Sequence, residues 1–345
     1  MSGGNMKGSR KLLVAMQGTG VFVVDLEKHS VSSGLADCIV VAALPGAEET
    51  FLAGTEKGLY KSADGGRTWQ LKGLAECKIF SLAFHPSDPM TVYAGAEPPF
   101  LFRSNDGGET WMELTGVRKL PGRNKWSYPP PPHIAHIKGI AIHPEDPEVM
   151  YCSIEEGGVI QSVDAGERWR YVSKGEAETF RPVSRVTGVY QDCHVVKLSQ
   201  QDPDRLFVTT GDGLYRSDDC GANWLRLDRG YRMKKYFGAV VLHPHDPNVI
   251  YATASMAPPS GAKNESSIYK STDGGTSFEE IATAIRPLYI VGWNALAMDP
   301  LAAESLYVGA ADGKLYNTAD GGESWQKLDI ELPSEGRIRT LACAP

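Results

Sequence analysis

The octapeptide SADGGRTW at residues 62–69 decides the fold, because the chain carries it six times in closely related form. The other copies are SNDGGETW (104–111), SVDAGERW (162–169), SDDCGANW (217–224), STDGGTSF (271–278) and TADGGESW (318–325). Their aspartates lie between 42 and 58 residues apart, a length that fits one four-stranded unit with variable loops. A repeat of this period predicts an array of similar β-sheets rather than one irregular core.

Each position of the octapeptide has a physical role in a hairpin. The aspartate accepts backbone N–H groups within its own turn, and the glycines supply positive φ angles. The final tryptophan or phenylalanine covers the turn. An alternating segment such as GLYKS (58–62) precedes each copy and predicts a strand. We therefore interpret the octapeptide as a structural turn away from any chemistry.

A second repeat lies upstream of the first. It is clearest in AFHPSDPMTVYAG from Ala83, AIHPEDPEVMYCS from Ala141 and VLHPHDPNVIYAT from Val241. Each reads as a strand, a turn stopped by proline, and a second strand. One unit therefore consists of strands A to D, with the HPxDP turn between A and B and the octapeptide between C and D.

Six units are explicit, and the two termini supply a seventh. The C-terminal RIRTLACAP from Arg337 matches strand A, and the N-terminal LLVAMQ and VFVVD match strands B and C. Joining them removes two exposed sheet edges. The sequence thus predicts an all-β, seven-bladed β-propeller of four-stranded antiparallel blades, a single domain over residues 11–345 behind a flexible tail at 1–10.

The octapeptide resembles the Asp-box, or bacterial neuraminidase, repeat. The chain is similar to sialidase-like propellers and to propellers of the photosystem II assembly-factor type. This resemblance implies the scaffold but not the activity, because one fold hosts many functions. The FRIP motif of sialidases has only a superficial counterpart in this sequence, TFRPV at Thr179. The catalytic residues of sialidases are therefore not assigned to this chain.

Composition narrows the functional classes. The net charge of −7 argues against nucleic acid as a partner. The most apolar early run, KLLVAMQGTGVFVV from Lys11, is interrupted after six residues, so neither a membrane span nor a signal peptide is expected. The six cysteines lack CxxC spacing and are expected to be reduced thiols in a cytoplasmic protein.

The B–C and D–A loops share the face where strand A begins, which we call the top face. His133, His136 and His194 are predicted to reach the channel mouth there, near the carboxylates of Asp192, Glu155 and Glu156. Imidazoles with carboxylates suit a divalent metal ion, with the three histidines as ligands, or acid–base catalysis by His136, His194 and the three carboxylates. The alternative is a polar channel filled with hydrogen-bonded side chains and water.

The other side of the mouth is predicted to be cationic and to bind substrate. Paired arginines suit carboxylate, sulfate or phosphate, although they could instead neutralise the nearby acids. The candidate substrate-binding residues are Lys78, Lys138, Arg181, Arg185, Tyr236, Asn294, Arg337 and Arg339.

Two functions remain open from the sequence. In the first, the chain is a cytosolic hydrolase or lyase acting on a small anionic or sugar-like substrate in the top-face funnel. In the second, it is a non-catalytic binding or assembly scaffold that uses the same face for a protein partner. Neither nucleic acid nor a membrane is expected as a partner.

Overall fold

The structure is a computed structural model that describes residues 10–172, 189–228, 233–258, 264–290, 292–334 and 336–344. It contains seven four-stranded sheets, each a meander of antiparallel neighbours. The prediction of a seven-bladed propeller is confirmed. Most of the predicted tail and the two candidate arginines Arg181 and Arg185 lie outside the described residues.

The strands follow the repeat. The N-terminal strands are β1 (Lys11–Gln17), β2 (Gly20–Asp25) and β3 (Ser30–Gly34). Blade 1 has β4 (Cys38–Ala43), β5 (Phe51–Thr55), β6 (Gly58–Ser62) and β7 (Gln70–Gly73). Blade 2 has β8 (Lys78–Phe84), β9 (Val92–Glu97), β10 (Leu101–Ser104) and β11 (Met112–Glu113). Blade 3 has β12 (Ile137–Ile142), β13 (Val149–Ile154), β14 (Gly158–Val163) and β15 (Arg170–Tyr171).

The second half of the chain repeats this order. Blade 4 has β16 (Cys193–Leu198), β17 (Leu206–Thr210), β18 (Leu214–Ser217) and β19 (Leu225–Arg226). Blade 5 has β20 (Tyr236–Leu242), β21 (Ile250–Ser255), β22 (Ser266–Ser271) and β23 (Glu279–Ile281). Blade 6 has β24 (Leu296–Asp299), β25 (Ala302–Gly309), β26 (Leu315–Thr318) and β27 (Gln326–Lys327). The last strand is β28 (Arg337–Ala344).

Blade 7 closes the ring with both termini, as the sequence predicts. Its strand order is β28-β1-β2-β3, and β28 runs antiparallel to β1 with Val14 opposite Leu341. Leu12, Leu13 and Val14 are fully buried in this sheet. The closure therefore removes the two edges that separate terminal strands would expose.

The Asp-box turns have the predicted bonding. In blade 2, Asp106 Oδ1 accepts the backbone N–H groups of Glu109 at 3.0 Å and Thr110 at 2.9 Å. Gly108 has a φ of 89°, which a residue with a side chain rarely adopts. The Trp111 indole N–H donates to the Gly108 carbonyl at 3.2 Å. These bonds fix the turn at the end of the blade opposite the top face.

Neighbouring blades share their apolar cores. Tyr151 and Val159 of blade 3 pack with Val196 and Leu206 of blade 4 in one buried cluster. The Tyr151 hydroxyl also donates to the Cys220 carbonyl in the Asp box of blade 4. Burial between sheets, rather than within them, thus holds the ring together.

Helical structure in the described chain is limited to three short 3-10 segments, Thr115–Lys119, Arg123–Lys125 and Thr283–Ile285. None of the described helices has the length and apolarity required to cross a bilayer. All six cysteines are free thiols, as expected.

Candidate functional site

Polar side chains reach the channel because the innermost strands of blades 1 to 5 are irregular near their starts. In blade 3 the register shifts between Ile137 and Gly139, which makes Lys138 the extra residue. Ile137 stays fully buried between blades. A bulge re-aims the side chain that it carries, and here it separates the interblade residue from the channel residue.

A chain of ionisable side chains runs from blade 2 to blade 3 at the top of the channel. Lys78 Nζ lies 2.8 Å from Glu97 Oε1, and the other oxygen of Glu97 lies 3.4 Å from His136 Nδ1. Across the imidazole, His136 Nε2 lies 3.3 Å from Glu155 Oε2. Lys138 forms an ion pair with that same oxygen. The two ammonium groups and two carboxylates balance, which offsets the cost of burying them.

His136 is the central link of this chain and is only 1% exposed. Its ring stacks on Phe80 with centroids 3.8 Å apart, and Tyr128 meets it edge-on at 5.2 Å. Burial lowers the pKa of His136 to about 4, although Glu97 opposes this shift. The ring is therefore uncharged at neutral pH and is held mainly by aromatic packing.

Asp192 and His194 form a separate buried dyad in blade 4. His194 Nδ1 lies 2.5 Å from the Phe237 carbonyl oxygen, and Nε2 lies 3.1 Å from Asp192 Oδ1. Since a carbonyl and a carboxylate both accept hydrogen bonds, a neutral His194 can donate to only one of these two oxygens. Burial lowers the pKa of His194. Burial works against a charged Asp192, but the neighbouring His194 holds the pKa of that carboxyl below its usual value.

Trp293 lies between two cations at the mouth. Lys138 Nζ is 3.9 Å from the centre of the indole ring, and Arg339 Cζ is 4.7 Å from it. Trp293 is partly buried against the apolar cluster of blades 4 and 5 and also lines a cavity. The reason is that β24 begins at Leu296, and Asn294 instead bridges to Thr340 of blade 7.

Glu155, Asp192, Trp293 and Arg339 line a cavity of about 360 Å³ on the top face. Its volume is at the lower end of the range for small-ligand sites. Its neutral wall consists of rings and one amide, from Tyr128, Pro129, Pro130, Tyr236, Pro258, Trp293 and Gln17. Its charged residues are Glu155, Glu156, Asp192, Arg337 and Arg339.

Glu156 has the most unusual carboxyl group of the cavity. It occupies the turn between β13 and β14 with a φ of 53°. Burial and the nearby charge of Asp192 raise the pKa of Glu156 to about 7, although Lys138 opposes this. The cavity thus combines an ionised carboxylate with a carboxyl group that titrates near neutrality.

Arg337 and Arg339 supply the positive side. Arg339 donates from Nη2 and Nε to the Gln17 amide oxygen at 2.6 and 3.0 Å. Burial and the neighbouring Arg337 lower the pKa of Arg339. Neither arginine has a carboxylate partner among the described residues.

The predicted site residues divide into three groups. Most meet at the cavity or in the polar chain beneath it. His133 instead lies exposed on its loop, with Nδ1 2.9 Å from the Tyr128 carbonyl oxygen, and Asn294 contributes backbone bonds to blade 7. Arg181 and Arg185 lie outside the described residues. The roles assigned to all of these residues remain predictions.

The predicted metal site has one counterpart in the described chain. Ligand atoms of Glu155, Asp192 and His194 lie within 4.8 Å of one another, whereas His133 and His136 do not belong to this group. Lys138 already provides a cation to Glu155, and both nitrogens of His194 have partners. A divalent ion therefore has to displace the Lys138 ammonium to use these ligands.

The sequence places Glu97 on the rim of the channel, but neither it nor Gln17 nor Pro258 was selected as a site residue. Glu97 ends β9 just before the B–C turn of blade 2, and Glu155 begins that turn in blade 3. Gln17 ends β1 and Pro258 lies in a long B–C loop, so only the ring geometry brings them to the cavity.

The chain belongs to the family of the photosynthesis system II assembly factor YCF48. The model of that family matches residues 25–199, just over half of the chain.

Curated relatives include enzymes. Xyloglucanase Xgh74A of Acetivibrio thermocellus is 30% identical over 154 residues, which are 41% of this chain and 18% of the relative. A xyloglucanase of Paenibacillus is 23% identical over 282 residues, 74% of this chain and 25% of the relative. The chain therefore spans a quarter or less of the length of these proteins.

Solved structures share the fold. The GH74 xyloglucanase from Xanthomonas campestris superposes with a TM-score of 0.63 at 19% identity, covering 92% of this chain and 47% of that one. YCF48 from Cyanidioschyzon merolae gives 0.57 at 13% identity, covering 93% and 88%. A structure of YCF48 bound to D1 peptide also gives 0.57 at 13% identity, covering 93% and 85%. At such identities the likeness establishes the fold alone.

Proposed function

We propose that this chain is a binding protein that accepts a short acidic segment of a protein partner in the top-face cavity. The observation that carries the proposal is the pair Arg337 and Arg339, which face the cavity without a carboxylate partner among the described residues. Guanidinium groups recognise carboxylates in a defined geometry. A ligand carboxylate would complete their bonding.

The rest of the site supports binding more than chemistry. Glu97, His136 and Glu155 are buried and engaged with one another, the partly exposed Lys78 pairs with Glu97, and packing holds the imidazole in place. The wall above them is built of tyrosine, proline and tryptophan rings, which contact extended peptides at low entropic cost. The YCF48 structure that holds a D1 peptide provides a precedent on this fold.

The test compares two capped peptides, acetyl-Ala-Glu-Pro-Ala-amide and its glutamine counterpart. Binding is followed by tryptophan fluorescence, since Trp293 lines the cavity, and by calorimetry. We expect the glutamate peptide to bind about tenfold more tightly, and Arg339→Gln to remove that advantage. Arg168→Gln is the matched control, because Arg168 is an exposed arginine in an Asp box. Equal affinity for the two peptides would overturn the proposal.

A second candidate is hydrolysis of a glycan, which one observation favours. Glu156 and Asp192 line the same cavity, and their pKa values are shifted in opposite directions, as in a general acid and its ionised partner. The relatives named xyloglucanase point to the same class of substrate. Release of reducing ends from xyloglucan, abolished in both Glu156→Gln and Asp192→Asn, would support it. No release above the level of the two variants would exclude it for xyloglucan.

A further inference from the structure

The top-face cavity has two walls of opposite charge. Arg337 and Arg339 of β28 form the first, and Glu156 and Asp192 from blades 3 and 4 form the second. Tyr128 lines the same cavity as both walls. Burial raises the pKa of Tyr128, the charge of Arg339 lowers it, and the charge of Asp192 raises it.

The two walls do not neutralise each other. Among the ion pairs of the described residues, none joins Arg337 or Arg339 to Glu156 or Asp192. Arg339 bonds instead to the neutral amide of Gln17.

On the acidic side, Lys138 is the cation that acts on Glu156, and it is already paired with Glu155. Each wall therefore keeps an excess of its own sign toward the cavity.

A ligand with a single charge would satisfy one wall and leave the other uncompensated in a partly buried space. A ligand that carries both signs close together would satisfy both, because each buried charge then gains a partner. The cavity of about 360 Å³ has room for neighbouring side chains rather than for a folded element.

We infer that the cavity selects a partner segment in which an acidic and a basic side chain lie close together. The acidic group meets Arg337 and Arg339, and the ammonium or guanidinium meets Glu156 and Asp192. The backbone between them crosses the rings of Tyr128 and Trp293. This inference rests on the proposed function and adds the charge pattern of the partner.

The test uses capped peptides, so that terminal charges play no part. The parent is acetyl-Ala-Glu-Pro-Lys-Ala-amide, made also with the glutamate and lysine exchanged, because the direction of the chain is not fixed. Two further probes replace either the lysine or the glutamate with glutamine. We expect one of the two doubly charged peptides to bind about tenfold more tightly than either singly charged derivative.

Two variants should each lose a different one of the two charge preferences, a result that a general effect of net charge does not produce. Glu156→Gln should abolish the higher affinity that the lysine of the peptide provides and leave the higher affinity that its glutamate provides. Arg337→Gln should do the reverse, and Arg337 is exposed, so the fold should survive. The capped amino acids acetyl-lysine-amide and acetyl-glutamate-amide, each with a single charge, are added together at the same concentration. They distinguish a peptide from a mixture of small ions and should not compete.

Each outcome has a separate meaning. If the peptide with glutamate alone binds as tightly as the doubly charged peptide, the inference is overturned and the proposed function survives. If no glutamate-containing peptide binds better than its glutamine counterpart, both fall. Competition by the two capped amino acids would also overturn the assignment to a peptide segment.

Discussion

Lys138 places its ammonium nitrogen 3.9 Å from the centre of the Trp293 ring. The two residues belong to blades 3 and 6, which lie on opposite sides of a seven-membered ring. Their contact therefore spans the channel. Since Glu155 pairs with the same ammonium, one lysine connects a carboxylate, an aromatic ring and two distant blades.

Removing the Lys138 ammonium should leave Glu155 as an uncompensated buried charge. We expect Lys138→Met to lower the free energy of unfolding by about 3–5 kcal/mol, and Lys138→Met with Glu155→Gln to recover a large part of the loss. Urea unfolding of these two variants and of Glu155→Gln alone measures this coupling. Lys57→Met is the control, because Lys57 is an exposed lysine of a B–C turn. Additive effects of the two substitutions would contradict the assigned pair.

Lys138 also determines whether the nearby ligand group can accept a metal. With the smaller Lys138→Ala side chain, Glu155, Asp192 and His194 lose the competing cation while their atoms stay within reach of one ion. We expect Zn²⁺ to bind this variant at least about tenfold more tightly than the unmodified protein, as measured by calorimetry. Adding His194→Ala should abolish the gain. Equal Zn²⁺ affinity with and without Lys138 would show that the lysine does not compete for this position.

Glu156 should make stability depend on pH in a defined window. The pKa of Glu156 is raised from 4.5 to about 7. Its contribution to the free energy of unfolding is therefore fully present below pH 4.5 and is lost as the pH rises through 7. As the pH rises from 5 to 8, we expect the free energy of unfolding of Glu156→Gln to increase by about 1–2 kcal/mol relative to that of the unmodified protein. This figure allows for the partial exposure of Glu156. Urea unfolding at both pH values tests this. Exposed Glu323→Gln is the control and should show no such gain.

The Asp boxes should be structural, as their sequence pattern predicts. Asp106 accepts two backbone N–H groups and the Thr110 hydroxyl at 2.5 Å. Asp106→Ala should cost on the order of 1 kcal/mol of unfolding free energy and leave peptide binding at the top face unchanged. Asp329→Ala, which removes an exposed aspartate, should cost less than about 0.5 kcal/mol. Loss of binding in a folded Asp106→Ala protein would place the box in the site.

The fold was predictable because each blade carries its own local signals. The Asp-box turn needs a residue such as Gly108 at positive φ, so the sequence predicts each repeat. The strands at the two termini lack partners within their own segments, so the sequence also predicts that they pair and close the ring. Long-range contacts have no such signal. The sequence predicts Lys138 on the cationic side of the mouth, but the structure pairs it with Glu155. Its contact with Trp293 depends on a bulge in one blade and a shortened strand in another.

The same distinction applies to the site. Adjacent strands could be compared position by position, which brought His136 and the Asp192–His194 dyad to the mouth. The partners of these groups, Glu97 for His136 and the Phe237 carbonyl for His194, follow from side-chain directions after the bulges. The sequence therefore indicated which residues share the channel, but it did not determine which of them are already satisfied by one another.

The ring closure provides the last prediction. Ile338 is fully buried at the start of β28, and its Cγ2 lies so near Gly309 that a Cβ built on that glycine would be 2.4 Å from it. Ile79 meets Gly54 in the same way where blade 2 packs on blade 1, so the junction between blades 6 and 7 is a normal interblade contact.

Ile338→Ala should leave a cavity at this junction and lower the free energy of unfolding by about 2–4 kcal/mol. Leu301→Ala, which shortens a side chain that is 66% exposed, should change the free energy of unfolding by less than about 0.5 kcal/mol. Urea unfolding compares the two, and Ile79→Ala shows the cost at an ordinary junction. A small loss for Ile338→Ala beside a large one for Ile79→Ala would mean that the terminal strand contributes little to the stability of the ring. Similar losses would mean that a junction made by the two ends of the chain is as strong as one made within it.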